Sequence, residues 1–220
     1  MAQESSESGR KEHDRRQAEV FDRVVDTFEE PIPEDIVARL EPIVASAGIK
    51  EGDAVLDVGT GTGVLIALIL QFKPSRVVGC DLSAEMLARA RAKFGEKVRF
   101  VQRDIVDLPR EEGPFNVVFC NAVFGNIYNQ REAVAAISSL LADGGRLVIS
   151  HPLGKGFVKE LSRKSTAFSI KELPDRARLK SLLEPHGLRL VAFTDEPNLY
   201  IAIAEKSQLL AGLDEEGDGR

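Results

Sequence analysis

The regular alternation of short apolar segments with longer segments of helical periodicity is the feature that most constrains how this chain of 220 residues can fold. Between residues 54 and 150, five short segments are rich in Val, Ile and Leu. In the interval that follows Ser83, apolar residues recur every three or four positions, as in an amphipathic helix. Strands that alternate with helices in this way pair in parallel, with helices on both faces. The pattern therefore predicts a doubly wound, mostly parallel α/β fold.

Two further apolar segments near the C-terminus complete a predicted sheet of seven strands. Residues 188–193 and 199–205 are separated by only five residues, whereas a crossover between parallel strands takes about a dozen or more. We therefore expect an antiparallel hairpin there. The other strands are predicted at residues 54–58, 76–80, 98–101, 116–120 and 146–150. Helices are predicted to start near Thr62, Ser83 and Gln130, with a shorter one near Ile105, and Gly144-Gly145 is expected to end the helix before the fifth strand.

The domain organisation follows from where periodicity begins and ends. Residues 1–14 are polar and without periodicity, so we expect a disordered lead-in. A single domain is predicted over residues 15–206, with N-terminal cap helices over 15–47, and residues 207–220 are expected to form a flexible tail. In the first cap helix, Phe21, Val24 and Phe28 form an apolar stripe. This stripe indicates either a lid over a ligand cavity or plain packing on the sheet edge.

Composition limits the compartment and the partners. The chain contains no apolar run of the roughly 18 residues that a membrane span needs, and its N-terminal segment lacks an apolar signal core. The net charge of −6 disfavours broad nucleic-acid binding, because phosphate backbones attract basic proteins. Cys80 and Cys120 lie in apolar segments, which indicates buried thiols in a reducing compartment. We expect a cytoplasmic protein without nucleic-acid or membrane partners; an organelle stroma or matrix stays open, as does the oligomeric state.

A glycine-rich turn follows the first predicted strand, in the sequence V-L-D-V-G-T-G-T-G that ends at Gly63. Such a turn brings backbone N–H groups and a helix N-terminus close to a nucleotide-like ligand, although it can also be only a tight strand-helix turn. A dinucleotide fingerprint has Gly or Ala where this chain has Val64. The carboxylate of Asp57, two residues before Gly59, would repel a pyrophosphate and attract a cation. S-adenosylmethionine carries an ammonium and a sulfonium and no phosphate, so the charges favour this cofactor.

Two further acids follow the next two strands. Asp81 lies 18 residues after Gly63, close to the spacing of about 20 at which an acid binds ribose hydroxyls. Asp104 follows the third strand, where a carboxylate can accept a hydrogen bond from an adenine amino group with Ile105 against the ring. The alternative for Asp104 is a cap for the following helix.

These segments, in their order and spacing, resemble the class I S-adenosylmethionine-dependent methyltransferases. The resemblance rests on L-D-V-G-T-G-T-G, G-C-D-L-S-A-E-M-L, V-Q-R-D-I, F-N-V-V-F-C-N-A-V-F and L-A-D-G-G-R-L-V-I-S, and it covers roughly residues 16–206. The C-terminal third is similar to small-molecule methyltransferases of the type 11-like branch, through I-S-H-P-L-G and F-T-D-E-P-N-L-Y. One departure is Asn116, which stands where the family has an acid at the start of the fourth strand, away from the site.

The resemblance implies a set of cofactor-binding residues. The turn of Asp57, Gly59, Thr60 and Gly61 would hold the methionine end of the cofactor. The ribose and adenine would lie against the remaining predicted residues, which are Asp81, Leu82, Asp104 and Ile105. Asn121 would lie beside the sulfonium at the end of the fourth strand. No metal site is predicted.

Candidate catalytic residues lie after the fourth and fifth strands. His151 directly follows the fifth strand, at the carboxyl edge where ligands bind in such sheets. It is predicted to take the acceptor's proton or to orient the acceptor; a histidine that only holds the turn is the alternative. Asn126 and Tyr128 are second candidates, with a plain loop-surface role as their alternative.

The acceptor and the activity leave several hypotheses open. Eight basic and three acidic residues lie between Lys155 and Lys180. A positive cavity mouth would favour an acidic small substrate, whereas a solvated helix face is the other interpretation. Methyl transfer from S-adenosylmethionine to a small molecule is the leading hypothesis, with S-adenosylhomocysteine as product. The alternatives are an inactive S-adenosylmethionine-binding regulatory protein and a nicotinamide-dependent oxidoreductase, against which Asp57 and Val64 argue.

Overall fold

The computed structural model describes residues 2–28, 31–166 and 169–208, and for residues 2–6 it describes only the backbone. One sheet of seven strands runs in the order β3-β2-β1-β4-β5-β7-β6. The strands are β1 (Ala54–Val58), β2 (Arg76–Asp81), β3 (Arg99–Gln102), β4 (Phe115–Asn121), β5 (Leu141–His151), β6 (Leu188–Glu196) and β7 (Leu199–Lys206). The first five pair in parallel, and β7 lies antiparallel between β5 and β6. The predicted fold class is thereby confirmed.

Helices cover both faces of the sheet because its central strands are apolar on both sides. The α-helices are α1 (Ala2–Arg23), α2 (Glu34–Ser46), α3 (Ile66–Leu70), α4 (Ala84–Phe94), α5 (Gln130–Leu140), α6 (Gly154–Lys164) and α7 (Arg176–Leu183). In β4, Val117 and Phe119 face one buried cluster, and Val118 and Cys120 face the other. This alternation is the period of two that a strand imposes, with each face packed under its own helices.

Two boundaries differ from the prediction for reasons that lie in the glycines. The helix after the glycine turn begins at Ile66, not near Thr62. Gly63 has a φ of +85°, outside the helical region, so the helix cannot include it. Gly144 and Gly145 do not end a helix, because α5 already ends at Leu140 and β5, which contains both glycines, begins at Leu141. The pairing of β4 with β5 shifts register between Phe115 and Val117, and glycines inside a strand commonly mark such a bulge.

The N-terminal segment differs most from the prediction. Residues 2–14, expected to be disordered, form the first half of α1. The buried face of this helix includes the polar side chains of Arg10, His13 and Gln17. A search for apolar periodicity does not detect a face of this kind. Of the predicted C-terminal tail, residues 209–220 lie outside the described residues.

Among the residues that the structure describes, no helix is both long enough and apolar enough to cross a membrane. The two cysteines, Cys80 and Cys120, are free thiols and are buried in β2 and β4.

Candidate active site

A cavity of about 780 Å³ opens at the carboxyl edge of the sheet, between the strand ends and the two N-terminal helices. This edge is where doubly wound sheets bind their ligands, because loops from neighbouring strands diverge there. Ten of the twelve predicted site residues line the cavity: Gly59, Thr60, Gly61, Asp81, Leu82, Asp104, Ile105, Asn121, Asn126 and His151. Asp57 and Tyr128 are not among its described lining residues.

The glycine turn is held by the protein's own hydrogen bonds. The N–H groups of Gly59 and Thr60 donate to the Cys80 carbonyl at 2.8 and 3.0 Å. The N–H group of Gly61 donates to Oδ2 of Asp81 at 2.8 Å. Three backbone donors that a pyrophosphate would need are therefore already engaged, unlike in a phosphate-binding loop. The turn shapes the wall of the cavity without offering these donors to a ligand, which favours a cofactor without phosphate.

Gly59 requires a glycine for two independent reasons. Its φ is +66°, and a Cβ at this position would lie 2.4 Å from Cγ2 of Val123 in the loop after β4. The backbone of the turn and the β4 loop therefore meet at a distance that only a residue without a side chain allows.

We expect Gly59→Ala to lower the free energy of unfolding by about 2–5 kcal/mol, because left-handed strain of about 1–2 kcal/mol adds to overpacking of about 1–3 kcal/mol. Urea denaturation measures the change. Gly52→Ala is the matched control, since Gly52 has a φ of +90° but open space around its Cβ position. Equal destabilisation by the two variants would contradict the close approach between Gly59 and Val123.

Asp57 lies beneath the glycine turn. Its side chain is buried, and its Oδ2 accepts a hydrogen bond of 2.7 Å from the Thr60 hydroxyl. Burial raises the pKa of Asp57 to about 7, and the hydrogen bond from Thr60 opposes only part of this increase. The carboxyl thus orients Thr60, which lines the cavity, whereas Asp57 itself is not among the described lining residues.

The raised pKa of Asp57 predicts a pH dependence of cofactor binding. If its carboxylate attracts the ammonium of S-adenosylhomocysteine, the ionised form binds better, and affinity increases up to about tenfold from pH 6 to pH 8. The folded-state pKa of about 7 lies above the ordinary aspartate value of 3.8, so the apo protein loses stability as the pH rises from 3.8 to about 7 and changes little above that. Asp57→Asn, which still offers Thr60 an acceptor, is expected to reduce both effects. Calorimetry from pH 6 to pH 8 measures the change in affinity, and thermal melts from about pH 4 to pH 8 measure the change in stability. An unchanged pH profile in the variant would exclude Asp57 as the source of both effects.

Asp81 ends β2 and binds the backbone on both sides of it. Its Oδ1 accepts from the Ser83 N–H at 2.9 Å, while Oδ2 accepts from Gly61. Burial raises the pKa of Asp81, and these backbone donors lower it. Each carboxylate oxygen has a second lone pair, so both can still accept from the two hydroxyls of a ribose.

Asp104 combines both roles that its sequence position allowed. Its Oδ1 accepts from the Val106 N–H at 2.8 Å and so caps the short 3-10 helix Ile105–Asp107. The side chain also lines the cavity. Burial raises the pKa of Asp104 to about 6, and the guanidinium of Arg10 lies 3.8 Å from its Oδ2.

The polar face of α1 closes this side of the cavity. Arg10 donates two hydrogen bonds to Asp107, at 2.8 and 2.9 Å. Asp22 accepts from the hydroxyl of Ser83, the N-cap of α4, at 2.5 Å. The sequence did not predict these contacts, because residues 1–14 were expected to be disordered and only the apolar stripe of the following helix was considered. The available signal was the spacing of Arg10, Asp14 and Gln17, which is three or four residues, as on one helix face.

Asn121 and Asn126 present amides on the other side of the cavity, near β4 and β5. Oδ1 of Asn121 accepts from the Ser150 hydroxyl at 3.0 Å inside the sheet, which fixes the orientation of this amide at the cavity wall. Asn126 also lines the cavity. The predicted positions of both residues at the site are therefore compatible with the structure.

His151 ends β5 and lines the cavity, with a buried side chain. Its Nδ1 lies 3.2 Å from the N–H of Leu153 and accepts its hydrogen bond. Burial lowers the pKa of His151 to about 4, so the ring is neutral at pH 7. Since Nδ1 accepts, the single proton of the neutral ring lies on Nε2. Of the two roles predicted for His151, this tautomer favours a hydrogen-bond donor that orients the acceptor over a base that takes its proton.

The structure does not support the catalytic role predicted for Tyr128. Its ring packs against His13 of α1, with 5.4 Å between ring centroids, and its backbone carbonyl accepts from the ammonium of Lys171 at 2.7 Å. A Cβ on Gly9 would lie 2.7 Å from its hydroxyl. Tyr128 therefore anchors α1 to the β4 loop outside the cavity.

The basic segment 155–180 does not form a positive cavity mouth. None of its eight basic residues is among the described residues that line the cavity. Lys155 and Lys159 lie within 3.9 and 4.0 Å of Asp195 and Glu172 on the outer surface. Lys171 donates to the carbonyls of Ile127 and Tyr128. The interpretation as a solvated surface fits these positions better than an acidic-substrate site.

The fold is a doubly wound α/β sheet, and its cavity lies at the carboxyl edge, where sheets of this kind bind nucleotide-containing ligands. The family model described as a methyltransferase domain matches residues 55–145. A demethylmenaquinone methyltransferase of Thermus thermophilus is 38% identical over 104 residues, which cover 46% of this chain and 47% of that protein. The ubiquinone/menaquinone biosynthesis C-methyltransferase UbiE of Stutzerimonas stutzeri is 30% identical over 192 residues, covering 71% of this chain and 73% of that protein.

Solved structures agree with the fold. The 1,6-didemethyltoxoflavin-N1-methyltransferase of Burkholderia thailandensis, determined with 1,6-didemethyltoxoflavin and S-adenosylhomocysteine, superposes with a TM-score of 0.68 at 20% identity. The match covers 90% of this chain and 91% of that one. The chain belongs to the class I S-adenosylmethionine-dependent methyltransferase family, so the predicted family, enzyme class and cofactor are confirmed. It spans about half the length of the Thermus relative and about three quarters of the Stutzerimonas relative.

Proposed function

We propose that this protein transfers the methyl group of S-adenosylmethionine to a small-molecule acceptor bound in the same cavity. The proposal rests on one observation: a single cavity contains both a carboxylate at the end of β2 and a glycine turn whose N–H groups already donate hydrogen bonds within the protein. Asp81 suits a ribose diol, and the engaged donors of Gly59 and Gly61 suit a ligand without phosphate.

The residues present fit the cofactor. The Gly59 backbone and Thr60 line the cavity where the methionine end would lie. Asp104 and Ile105 would hold the adenine edge, where the first offers a carboxylate and the second an apolar surface. When bound, S-adenosylmethionine supplies a methyl group on a positively charged sulfur, which keeps the bonding electron pair when the methyl group is transferred.

The protein's part in such a displacement is to align the acceptor's lone pair with the methyl carbon and to exclude water. Asn121, held by Ser150, would lie beside the reacting groups. His151 would orient the acceptor through Nε2–H. The cap helices would close the cavity, because Phe21 of α1 and Ile36 of α2 line it, which supports the lid interpretation of residues 15–47.

A small molecule is the acceptor class that the cavity supports. A volume of about 780 Å³ lies toward the upper end of the roughly 300–1,000 Å³ found for sites that hold one drug-sized ligand. It leaves room for a small acceptor beside the cofactor. The Thermus relative is named for methylation of demethylmenaquinone and the Stutzerimonas relative for C-methylation in ubiquinone/menaquinone biosynthesis, and such acceptors are small molecules. The free, buried thiols of Cys80 and Cys120 fit a reducing compartment such as the cytoplasm.

Incubation with methyl-tritiated S-adenosylmethionine and a low-molecular-mass metabolite extract tests the proposal. We expect enzyme-dependent label in the small-molecule fraction and an equal amount of S-adenosylhomocysteine. Asp81→Ala is the matched control and is expected to suppress both. Tight cofactor binding without label transfer to any fraction would instead support the inactive regulatory protein.

A further inference from the structure

The charges in the cavity are distributed unevenly between its two sides. The charged side chains among its described lining residues are Asp14, Asp81, Arg103 and Asp104. They lie in α1, at the end of β2 or in the loop after β3. On the side of β4 and β5, the described lining residues carry no formal charge at pH 7, since burial keeps His151 neutral by lowering its pKa. We call this second side the acceptor half.

The acceptor half is largely apolar. Val123 and Ile127 of the β4 loop, Val158 of α6 and Ile170 form its described walls, with the amide of Asn126 among them. A carboxylate or ammonium group buried there would lose its hydration without gaining an ion-pair partner among these residues, which costs several kcal/mol. A neutral apolar molecule loses no such hydration.

The rim of the acceptor half is apolar as well. On α6, Phe157 and Leu161 line the cavity and stay 43% and 40% exposed to solvent. They lie four residues apart, on one face of the helix. Exposed apolar side chains at the mouth of a cavity are typical of entry sites for apolar ligands.

The acceptor half contains one hydrogen-bond donor with a defined direction, the Nε2–H group of His151. Nδ1 of His151 is engaged by the Leu153 N–H, which leaves Nε2–H as the ring's donor. In the part of the chain that the structure describes, no protein acceptor is found for Nε2–H. The group therefore remains available to an oxygen of a bound molecule.

We propose that the methyl acceptor is an uncharged, predominantly apolar small molecule with an oxygen that accepts a hydrogen bond from Nε2–H of His151. This inference rests on the proposed function, whose acceptor it specifies. It replaces the acidic acceptor that the basic segment 155–180 had suggested, because none of the basic residues of that segment is among the described residues that line the cavity.

Three matched naphthalenes test the proposal by calorimetry on the full chain saturated with S-adenosylhomocysteine. These are 2-acetylnaphthalene, with a neutral oxygen, 2-naphthoate, with a charged group of similar shape, and 2-ethylnaphthalene, without oxygen. We expect 2-acetylnaphthalene to bind at least about tenfold more tightly than 2-naphthoate. In His151→Leu its affinity is expected to decrease about three- to tenfold, to that of 2-ethylnaphthalene, as for the loss of one hydrogen bond. His151→Gln, which keeps a donor, is expected to retain most of the affinity.

The outcomes separate this inference from the proposed function. Stronger binding of 2-naphthoate, or no binding of any of the three while S-adenosylhomocysteine still binds, would overturn the neutral acceptor and leave the cofactor assignment intact. Failure of S-adenosylhomocysteine itself to bind would overturn the proposed function and the inference with it. The comparison of the three compounds on the unaltered protein does not depend on whether the variants fold.

Discussion

His151→Leu is expected to lower methyl turnover about 10²-fold, because a misplaced acceptor in a displacement reaction costs a factor of this size. The expectation follows from the tautomer of His151, whose Nδ1 accepts from Leu153 and whose Nε2–H faces no protein acceptor among the described residues. Cofactor affinity is expected to stay within about twofold, since the residue lies at the end of β5, and the strands β1 and β4 separate it from Asp81 on β2.

The control for His151 separates orientation from proton transfer. His151→Gln keeps an N–H donor but cannot act as a base, so an orienting role predicts that it retains about a tenth or more of the turnover. At saturating cofactor, the orienting role also predicts no inflection in kcat from His151 between pH 5 and pH 8, because its pKa is about 4. Equal losses in both variants would point to a base. Lost stability with unchanged turnover per folded molecule would indicate that His151 only holds the turn.

Asp81→Ala is expected to weaken the binding of S-adenosylhomocysteine about ten- to hundredfold, which corresponds to about 1.4–2.8 kcal/mol. The variant removes the acceptor of the ribose hydroxyls and also the acceptor of the Gly61 and Ser83 N–H groups. Because those donors would be left in a buried turn, we also expect some loss of stability, unlike for an exposed loop acid.

Asp104→Ala is the comparison for Asp81. It is expected to cost less affinity, because the adenine edge offers one donor and the carboxylate also caps Val106. Isothermal titration, with thermal melts to correct for folding, measures both variants. A larger loss of affinity for Asp104→Ala would reverse the assignment of the ribose and adenine acids.

The sheet and the cofactor side of the cavity could be predicted because local sequence determines them. Each of the seven strands overlaps a predicted segment, and β1 occupies the predicted residues 54–58. Asp81 is the last residue of β2, and Asp104 comes shortly after β3, so their positions at the carboxyl edge follow from the parallel topology. Asp57 shows the limit of this reasoning. The sequence predicts that it contacts the cofactor, but only the structure reveals that its side chain lies beneath the turn and accepts from Thr60.

The N-terminal side of the cavity could not be predicted because tertiary contacts determine it. The helix that carries Arg10 is stabilised by distant partners such as Asp107, 97 residues away, which local periodicity cannot show. The same holds for Tyr128, whose partners His13 and Lys171 come from separate parts of the chain. The state of His151 also depends on burial and on a backbone donor two residues away.

Calorimetric titration of the purified chain with S-adenosylhomocysteine, and separately with NAD, tests the central claim most directly. The two ligands share an adenosine and differ in the pyrophosphate, which the engaged N–H groups of Gly59, Thr60 and Gly61 disfavour. We expect micromolar binding of S-adenosylhomocysteine, about −8 kcal/mol, and no detectable heat with NAD. Tight binding of NAD without binding of S-adenosylhomocysteine would contradict the account.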